Sequence, residues 1–304
     1  MFASTQTLLH KAQRGKYAVP HFNINNMEIV QGVVQAAVKL KSPLILATSE
    51  GAINYAGMNF LHCLAQTASQ LASVPLALHL DHGQNLETIR KAIALGYSSV
   101  MIDASQDPFE KNIRRTRQVV HLAHRKGISV EAELGTIGGA EDLVSSRNIH
   151  YTDPEKAKEF VERTGCDFLA VAVGTSHGAY KFAGKAVLRQ DLLQQLRHKV
   201  AIPLVLHGAS AVPRPLVRLA ERYGASLQGV EGVPEKQIKT AISHGITKIN
   251  TDTDLRLAFD AAVRRALKQA PRDFDPRHIL APARKLIQMV AEQRIRLFGS
   301  GGKR

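Results

Sequence analysis

The 304-residue chain predicts one α/β domain, residues 1–304, built as a (β/α)8 TIM barrel with a helical C-terminal extension over about 268–304. Three observations predict it. Short apolar segments alternate with helical patterns up to about residue 260 with no compositional break, which implies a parallel sheet with helical crossovers. No Gly-x-Gly-x-x-Gly fingerprint follows the first strand, so an open dinucleotide-binding sheet has no support. Polar residues gather where the strands end, at Asn23, Ser49, Asp81, Asp103, Glu133, His207 and Asn250, on the face where such barrels carry out chemistry.

In chain order the strands are expected at 18–24, 44–49, 76–81, 99–104, 129–134, 168–174, 204–207 and 246–250, each rich in aliphatic and β-branched residues. Between them, 27–40, 86–95 and 113–126 carry apolar residues at helical spacing. Gly96, Gly127 and Gly245 follow helical segments where a left-handed terminating residue is needed. The helical tail reads as part of a subunit interface.

Composition bounds the function. Hydrophobic residues make up 44% and charged residues 22%, as in ordinary globular proteins. No apolar run reaches the roughly 20 residues that span a bilayer, and residues 1–16 lack the apolar centre of a secretory leader. Cys63 and Cys166 stand far apart in apolar surroundings, which suggests free thiols and a cytoplasmic setting. The net charge is +14, but the basic residues sit in separate helical stretches: Arg114, Arg115 and Arg117; Arg125 and Lys126; Arg264 and Arg265; Arg294 and Arg296. With no Trp and no aromatics among them, they read as a solvated basic surface that attracts anionic substrates, and not as a nucleic-acid interface.

Three histidines stand where an apolar run gives way to glycine: His82 in His-Leu-Asp-His-Gly, His177 in Gly-Thr-Ser-His-Gly, and His207 in Leu-His-Gly-Ala-Ser. Lifted to the ends of the third, sixth and seventh strands, they can converge as three neutral imidazoles. Such a set leaves zinc the open position that a catalytic site needs. Each alone reads equally well as a strand-end histidine bonded to a loop. Asp103 and Glu133, from intervening strands, would form a second cation position or orient the first.

Asp81 and His82 are adjacent, so in a regular strand they would face opposite ways. The expectation is therefore that the strand ends at Asp81 and that His82 lies in the turn. Alternation also places Glu131 beneath Glu133 and Lys248 beneath Asn250, one layer deeper, where each would neutralise the other. After the seventh and eighth strands, Gly208-Ala209-Ser210 and Asn250-Thr251-Asp252-Thr253 are small and hydroxyl-rich, as suits a phosphate monoester at that end of a barrel. Arg256 is a candidate for a second phosphate, or an ordinary exposed helix residue.

Assembled, these residues resemble the class II, metal-dependent fructose-bisphosphate aldolases over nearly the whole chain. The carrying segments are Asp81-His82-Gly83, Met101-Ile102-Asp103, Glu131-Ala132-Glu133-Leu134-Gly135, Gly138-Gly139-Ala140-Glu141-Asp142, Ser176-His177-Gly178-Ala179-Tyr180-Lys181, His207-Gly208-Ala209-Ser210 and Lys248-Ile249-Asn250-Thr251-Asp252-Thr253.

The resemblance implies catalytic zinc on His82, His177 and His207, with a second divalent site at Asp103 and Glu133. It further implies Asp81 as acid and base at the aldehyde oxygen, and Glu141 as the base at the ketose carbon. Gly178, Gly208, Ala209, Ser210, Asn250, Thr251, Asp252 and Thr253 would hold dihydroxyacetone phosphate, and Ser49 the aldehyde half. One departure is that many members carry two acidic residues before Asp142, where this chain has Ala140 and Glu141.

Family members are commonly dimers or tetramers, and a monovalent cation often assists them. Tagatose-bisphosphate aldolases of the family tend to carry Ala at the position of Asp252, which favours fructose 1,6-bisphosphate here. The competing readings are the tagatose enzyme, Schiff-base chemistry on Lys181 or Lys248, and a non-catalytic barrel that only binds.

Overall fold

The computed structural model describes residues 1–304 apart from 142–143, 147–148, 179–186 and 228, and does not describe the side chains of 140, 141, 144–146 and 177. Eight parallel strands close into a barrel in chain order: β1 (Val19–Asn23), β2 (Leu44–Ser49), β3 (Leu76–Gly83), β4 (Ser99–Ile102), β5 (Ser129–Leu134), β6 (Phe168–Val171), β7 (Leu204–Leu206) and β8 (Ile246–Thr251). A separate sheet joins Gly138–Glu141, Val144–Ser146 and Ser176–His177, and its middle strand Gly138–Glu141 belongs to the loop after β5.

Side chains alternate across the barrel wall. The outward set, including Phe22, Leu46, Leu78, Val100, Val130, Leu169, Leu206 and Ile249, packs under the surrounding helices. The inward set forms layers. At the N-terminal end Val19, Ile45, Ala77, Met101, Phe168 and Val205 pack against Leu8, Leu9 and Ala12 of the helix Thr5–Gly15, which plugs the barrel floor. Above them lie His21, His79, Glu131 and Lys248, all fully buried. Asn23, Ser49, Asp81, Asp103, Glu133, His207 and Asn250 form the top layer.

Several strands end elsewhere than expected. β6 stops at Val171, not at 174, because Thr152 takes over the edge: its Oγ1 accepts from Ala172 N at 2.8 Å and its N–H donates to Ala172 O at 3.0 Å. β4 stops at Ile102, where the Asp103 side chain turns to Ser105. The helix expected over 113–126 spans Phe109–His124. Gly96, Gly127 and Gly245 do take left-handed φ values of 77°, 67° and 104° after their helices.

The C-terminal helix Pro276–Phe298 is packed onto the barrel. It buries Ile287, Val290, Ala291 and Ile295, and a Cβ on Gly32 of helix Met27–Leu40 would stand 2.7 Å from Ile287 Cγ2. Among the described residues, no helix is long and apolar enough to cross a membrane.

Candidate active site and metal centre

β3 carries the residues on which the site turns, and it does not end at Asp81 as expected. The strand continues to Gly83 through a bulge: Leu80 pairs with Val100 and Gly83 with Ile102, so one extra residue is inserted. His82 takes up the extra length with φ at 45°, a left-handed conformation that non-glycine residues rarely adopt. The kink turns His82 to the same side as Asp81, so two neighbours in sequence both reach the barrel mouth.

Asp81 is held between two amides. Asn23 Nδ2 donates to its Oδ2 at 2.8 Å, and Asn250 Nδ2 donates to Oδ1 at 3.1 Å. Both donors come from neighbouring top-layer positions of β1 and β8. With Asp81 only 3% exposed, the carboxylate is fixed in direction while keeping an edge toward the mouth.

His82 and His207 approach each other at 2.8 Å between Nε2 and Nδ1. Their remaining nitrogens are each held by a carboxylate: His82 Nδ1 by Asp103 Oδ2 at 2.8 Å and His207 Nε2 by Glu131 Oε1 at 2.7 Å. Metal-binding imidazoles are typically oriented in this way, one nitrogen on a carboxylate and the other on the ion. Asp81, His82 and His207 can place ligand atoms within 4.8 Å of one another, and so can His82, Asp103 and Glu133. The donor set of imidazoles and carboxylates therefore fits zinc.

The electrostatics show what the cluster lacks. Burial works against a charge on His82, but the Asp81 carboxylate, the Asp103 hydrogen bond and the Asp103 and Glu133 charges outweigh it and raise its pKa to about 10. Burial likewise opposes ionisation of Asp103, yet His82 and Ser105 hold it well below the usual carboxylate range. Glu133 is pushed far up by burial and by Asp103. Its Oε2 is buried with no hydrogen-bond partner among the described residues. An orphaned oxygen beside a second carboxylate is where a cation would be welcome.

Beneath this layer, Lys248 Nζ lies 2.8 Å and 3.1 Å from the two oxygens of Glu131, as alternation predicts. The pair also excludes Lys248 as a Schiff-base nucleophile, because its ammonium is fully buried and committed to Glu131. Lys181 lies outside the described residues.

The loops after β7 and β8 carry the expected phosphate residues. Ala209, Ser210, Thr251, Asp252 and Thr253 are all buried at the top of the barrel. Gly208, at φ 60°, presses so closely on the Ser176 backbone that a Cβ would lie 2.6 Å from Ser176 O. The loops of β6 and β7 are thereby locked together beside His177 and Gly178. The strand that carries Asn250 leads through Asp252 into the helix Thr253–Gln269, so this helix begins directly after the top of β8. Arg256 is tied to Asp252 at 2.6 Å. Ser49 caps the helix Glu50–Ala56 through Ala52 N at 3.2 Å and pairs in register with Asp81. The side chains of His177 and Glu141 lie outside the described residues.

Residues not foreseen also belong here. His21 and His79 lie in the layer below, with His21 Nε2 3.8 Å from Asp81 Oδ1 and His79 Nε2 3.7 Å from Glu131 Oε2. Their place two residues before Asn23 and Asp81 was the readable signal. Asp254, fully buried, accepts from Val212 N at 2.8 Å and Ala211 N at 3.2 Å, which shapes the loop after β7. Nothing in the sequence pattern marked it, since an acid in the first turn of a helix is ordinary.

A sequence profile described as fructose-bisphosphate aldolase class-II matches residues 3–303. The chain is 48% identical to a fructose-bisphosphate aldolase of Thermus caldophilus over 305 residues, covering 100% of both chains. It is 46% identical to one from Giardia intestinalis, covering 97% of this chain and 92% of the relative. Among solved structures, the YdjI aldolase of Escherichia coli K12 superposes with a TM-score of 0.80 at 37% identity, covering 100% of this chain and 99% of the other. A profile that runs the length of the chain, and relatives at this identity, place it in the class II fructose-bisphosphate aldolase family.

Proposed function

We propose that the protein catalyses the reversible aldol cleavage of fructose 1,6-bisphosphate to dihydroxyacetone phosphate and glyceraldehyde 3-phosphate. The observation that carries this reading is the pair His82 and His207, each with one nitrogen on a carboxylate and the other turned to a common point beside Asp81. Zinc held there by His82 and His207, with His177 as third ligand, would act as a Lewis acid on the ketone and stabilise the enediolate. Asp103 and Glu133 would hold a second divalent ion, and a monovalent cation would assist the reaction.

Asp81 takes the proton from the C4 hydroxyl in cleavage and returns it to the aldehyde oxygen in condensation. Its orientation by Asn23 and Asn250 keeps one edge available for that transfer. Glu141 is the proposed base at the ketose carbon. Gly178, Gly208, Ala209, Ser210, Asn250, Thr251, Asp252 and Thr253 would receive the dihydroxyacetone phosphate end, Ser49 the aldehyde half, and Arg256 the second phosphate. Asp252 favours the fructose over the tagatose stereoisomer.

We place the enzyme in the cytoplasm as a single domain, supported by two unpaired cysteines. We also infer a homodimer or homotetramer. Support comes from an apolar groove of about 740 Å³ between helices Met27–Leu40 and Met58–Leu71, where Phe60 and Leu71 are 75% and 81% exposed.

A coupled cleavage assay on fructose and tagatose 1,6-bisphosphates, run with chelator and then with zinc restored, tests the reading. Cleavage of the fructose ester that chelator abolishes and zinc restores is expected. Equal rates on both sugars would overturn the specificity, and chelator-resistant turnover would overturn the metal.

A further inference from the structure

Some members of the basic clusters are neutralised in the fold: Arg115 pairs with Asp107, Arg264 with Asp260, Arg294 with Glu235 and Arg296 with Glu292. Another group is gathered on one helix face. Arg114, Arg117, His121 and Arg125 follow one another at spacings of three, four and four residues along helix Phe109–His124 and its C-cap, so they form a single stripe. All four are exposed.

The stripe forms one wall of a groove of about 960 Å³, into which Arg90 reaches from the neighbouring helix Leu86–Ala94. Among the described residues, no carboxylate lies within ion-pair distance of Arg90, Arg117 or Arg125. Glu110, which feels the charge of Arg114, is committed to Arg163 at 2.6 Å. No acidic side chain lines the groove. The stripe lies on one helix, within the segment 113–126 that the sequence marks as helical, and packing adds Arg90 from the neighbouring helix.

We propose that this groove binds the phosphate backbone of duplex nucleic acid without sequence preference. Eleven residues of helix rise span roughly 16 Å. Phosphates on one strand of a duplex recur every ~3.4 Å along its axis, so the three arginines over that span, with Arg90 beside them, match about four of them. Four guanidinium groups, including Arg90, suit phosphate oxygens through paired N–H donors. The lack of aromatics, which in the sequence counts against any nucleic-acid interface, removes only the stacking platform that single strands require; the groove revises that expectation for the duplex backbone, which needs none. The groove is built from helices Leu86–Ala94 and Phe109–His124, whereas the candidate active site is built from strand ends and loops, so this inference stands independently of the aldolase reading.

The test is fluorescence anisotropy of the full-length protein with a labelled 20-base-pair DNA duplex across a salt series, comparing two triple variants of equal net charge. Arg114→Gln/Arg117→Gln/Arg125→Gln empties the stripe, while Arg218→Gln/Lys236→Gln/Lys239→Gln removes three exposed charges elsewhere. The unaltered protein is expected to show a slope of log K against log salt near −4, as about four neutralised phosphates require. The stripe variant should lose at least about tenfold in affinity and about three units of that slope. The control should stay within about twofold, and a triple Arg→Lys variant at the stripe should retain binding. All variants should keep the cleavage rate and melting temperature of the parent, which separates lost binding from lost folding. Absent binding at low salt, a flat salt dependence, or equal weakening in both triple variants would overturn the proposal.

Discussion

Lys248 Nζ stands 2.8 Å from Glu131 Oε2 in the middle layer of the barrel, and neither residue has any solvent exposure. The same carboxylate accepts from His207 Nε2 at 2.7 Å, so a structural ion pair also orients the histidine proposed to hold zinc. Removing one partner leaves a buried charge unpaired, and Lys248→Met is expected to cost about 3–5 kcal/mol in denaturant unfolding. The double replacement by Met at both positions should recover most of that stability. It should not recover zinc affinity, which calorimetry should find weaker by about 10–100-fold because His207 has lost its acceptor.

His82 makes the metal-free protein sensitive to alkali. Its pKa is raised to about 10 in the folded state against about 6.5 for an unperturbed histidine. The stability it contributes is therefore complete below the unfolded value and is lost as pH rises through the folded one. Thermal melts of the chelated protein should fall between about pH 6.5 and 10. Zinc binding at pH 7 should release a proton, seen as a buffer-dependent heat in calorimetry, and should tighten as pH rises. Identical heats in buffers of different ionisation enthalpy would exclude that protonation.

Asp81→Asn keeps the shape of the side chain but removes the proton acceptor. Turnover should drop by about 10²–10⁴-fold while zinc content stays near that of the parent. A variant that loses its metal instead would show that Asp81 holds the ion and does not move the proton.

Gly208→Ala tests the contact between the loops after β6 and β7. The added Cβ would meet the Ser176 backbone at 2.6 Å, at a φ of 60° that alanine disfavours. Because both neighbours are backbone, relief requires the loops to part. A loss of about 1–3 kcal/mol is expected, with KM rising as the phosphate residues shift.

The two cysteines should react very differently. Cys63 is exposed, whereas burial of Cys166 pushes its thiol up to about 12. Mass spectrometry after iodoacetamide treatment at pH 8 should find Cys166 intact in the folded protein and Cys63, which lines the groove proposed to join subunits, modified once the subunits are separated by dilution, with both modified after unfolding.

Much of this protein follows from patterns of period two and 3.6. The eight barrel strands, the inward placement of Asp103, Glu133, His207 and Asn250, and the Glu131–Lys248 pair all come from alternation, because a strand has only two faces and a barrel has only one inside. His21 and His79 obey the same rule and were equally legible. A histidine inside a strand carries no glycine signal, so only its place in the alternation marks it.

What alternation cannot supply is any relationship that breaks the period or crosses the fold. The bulge at His82, which puts two adjacent side chains at the barrel mouth, is a local conformation chosen by the ladder to Val100 and Ile102. The carboxylate partners of His82 and His207 come from 21 and 76 residues away. The basic groove gains Arg90 because its helix packs beside the one that carries the arginine stripe. Hydrophobic periodicity selects the faces of elements, so the barrel and its chemical end are legible in the chain. Distances between side chains on different elements depend on how those faces pack, and they emerge only when the elements are brought together.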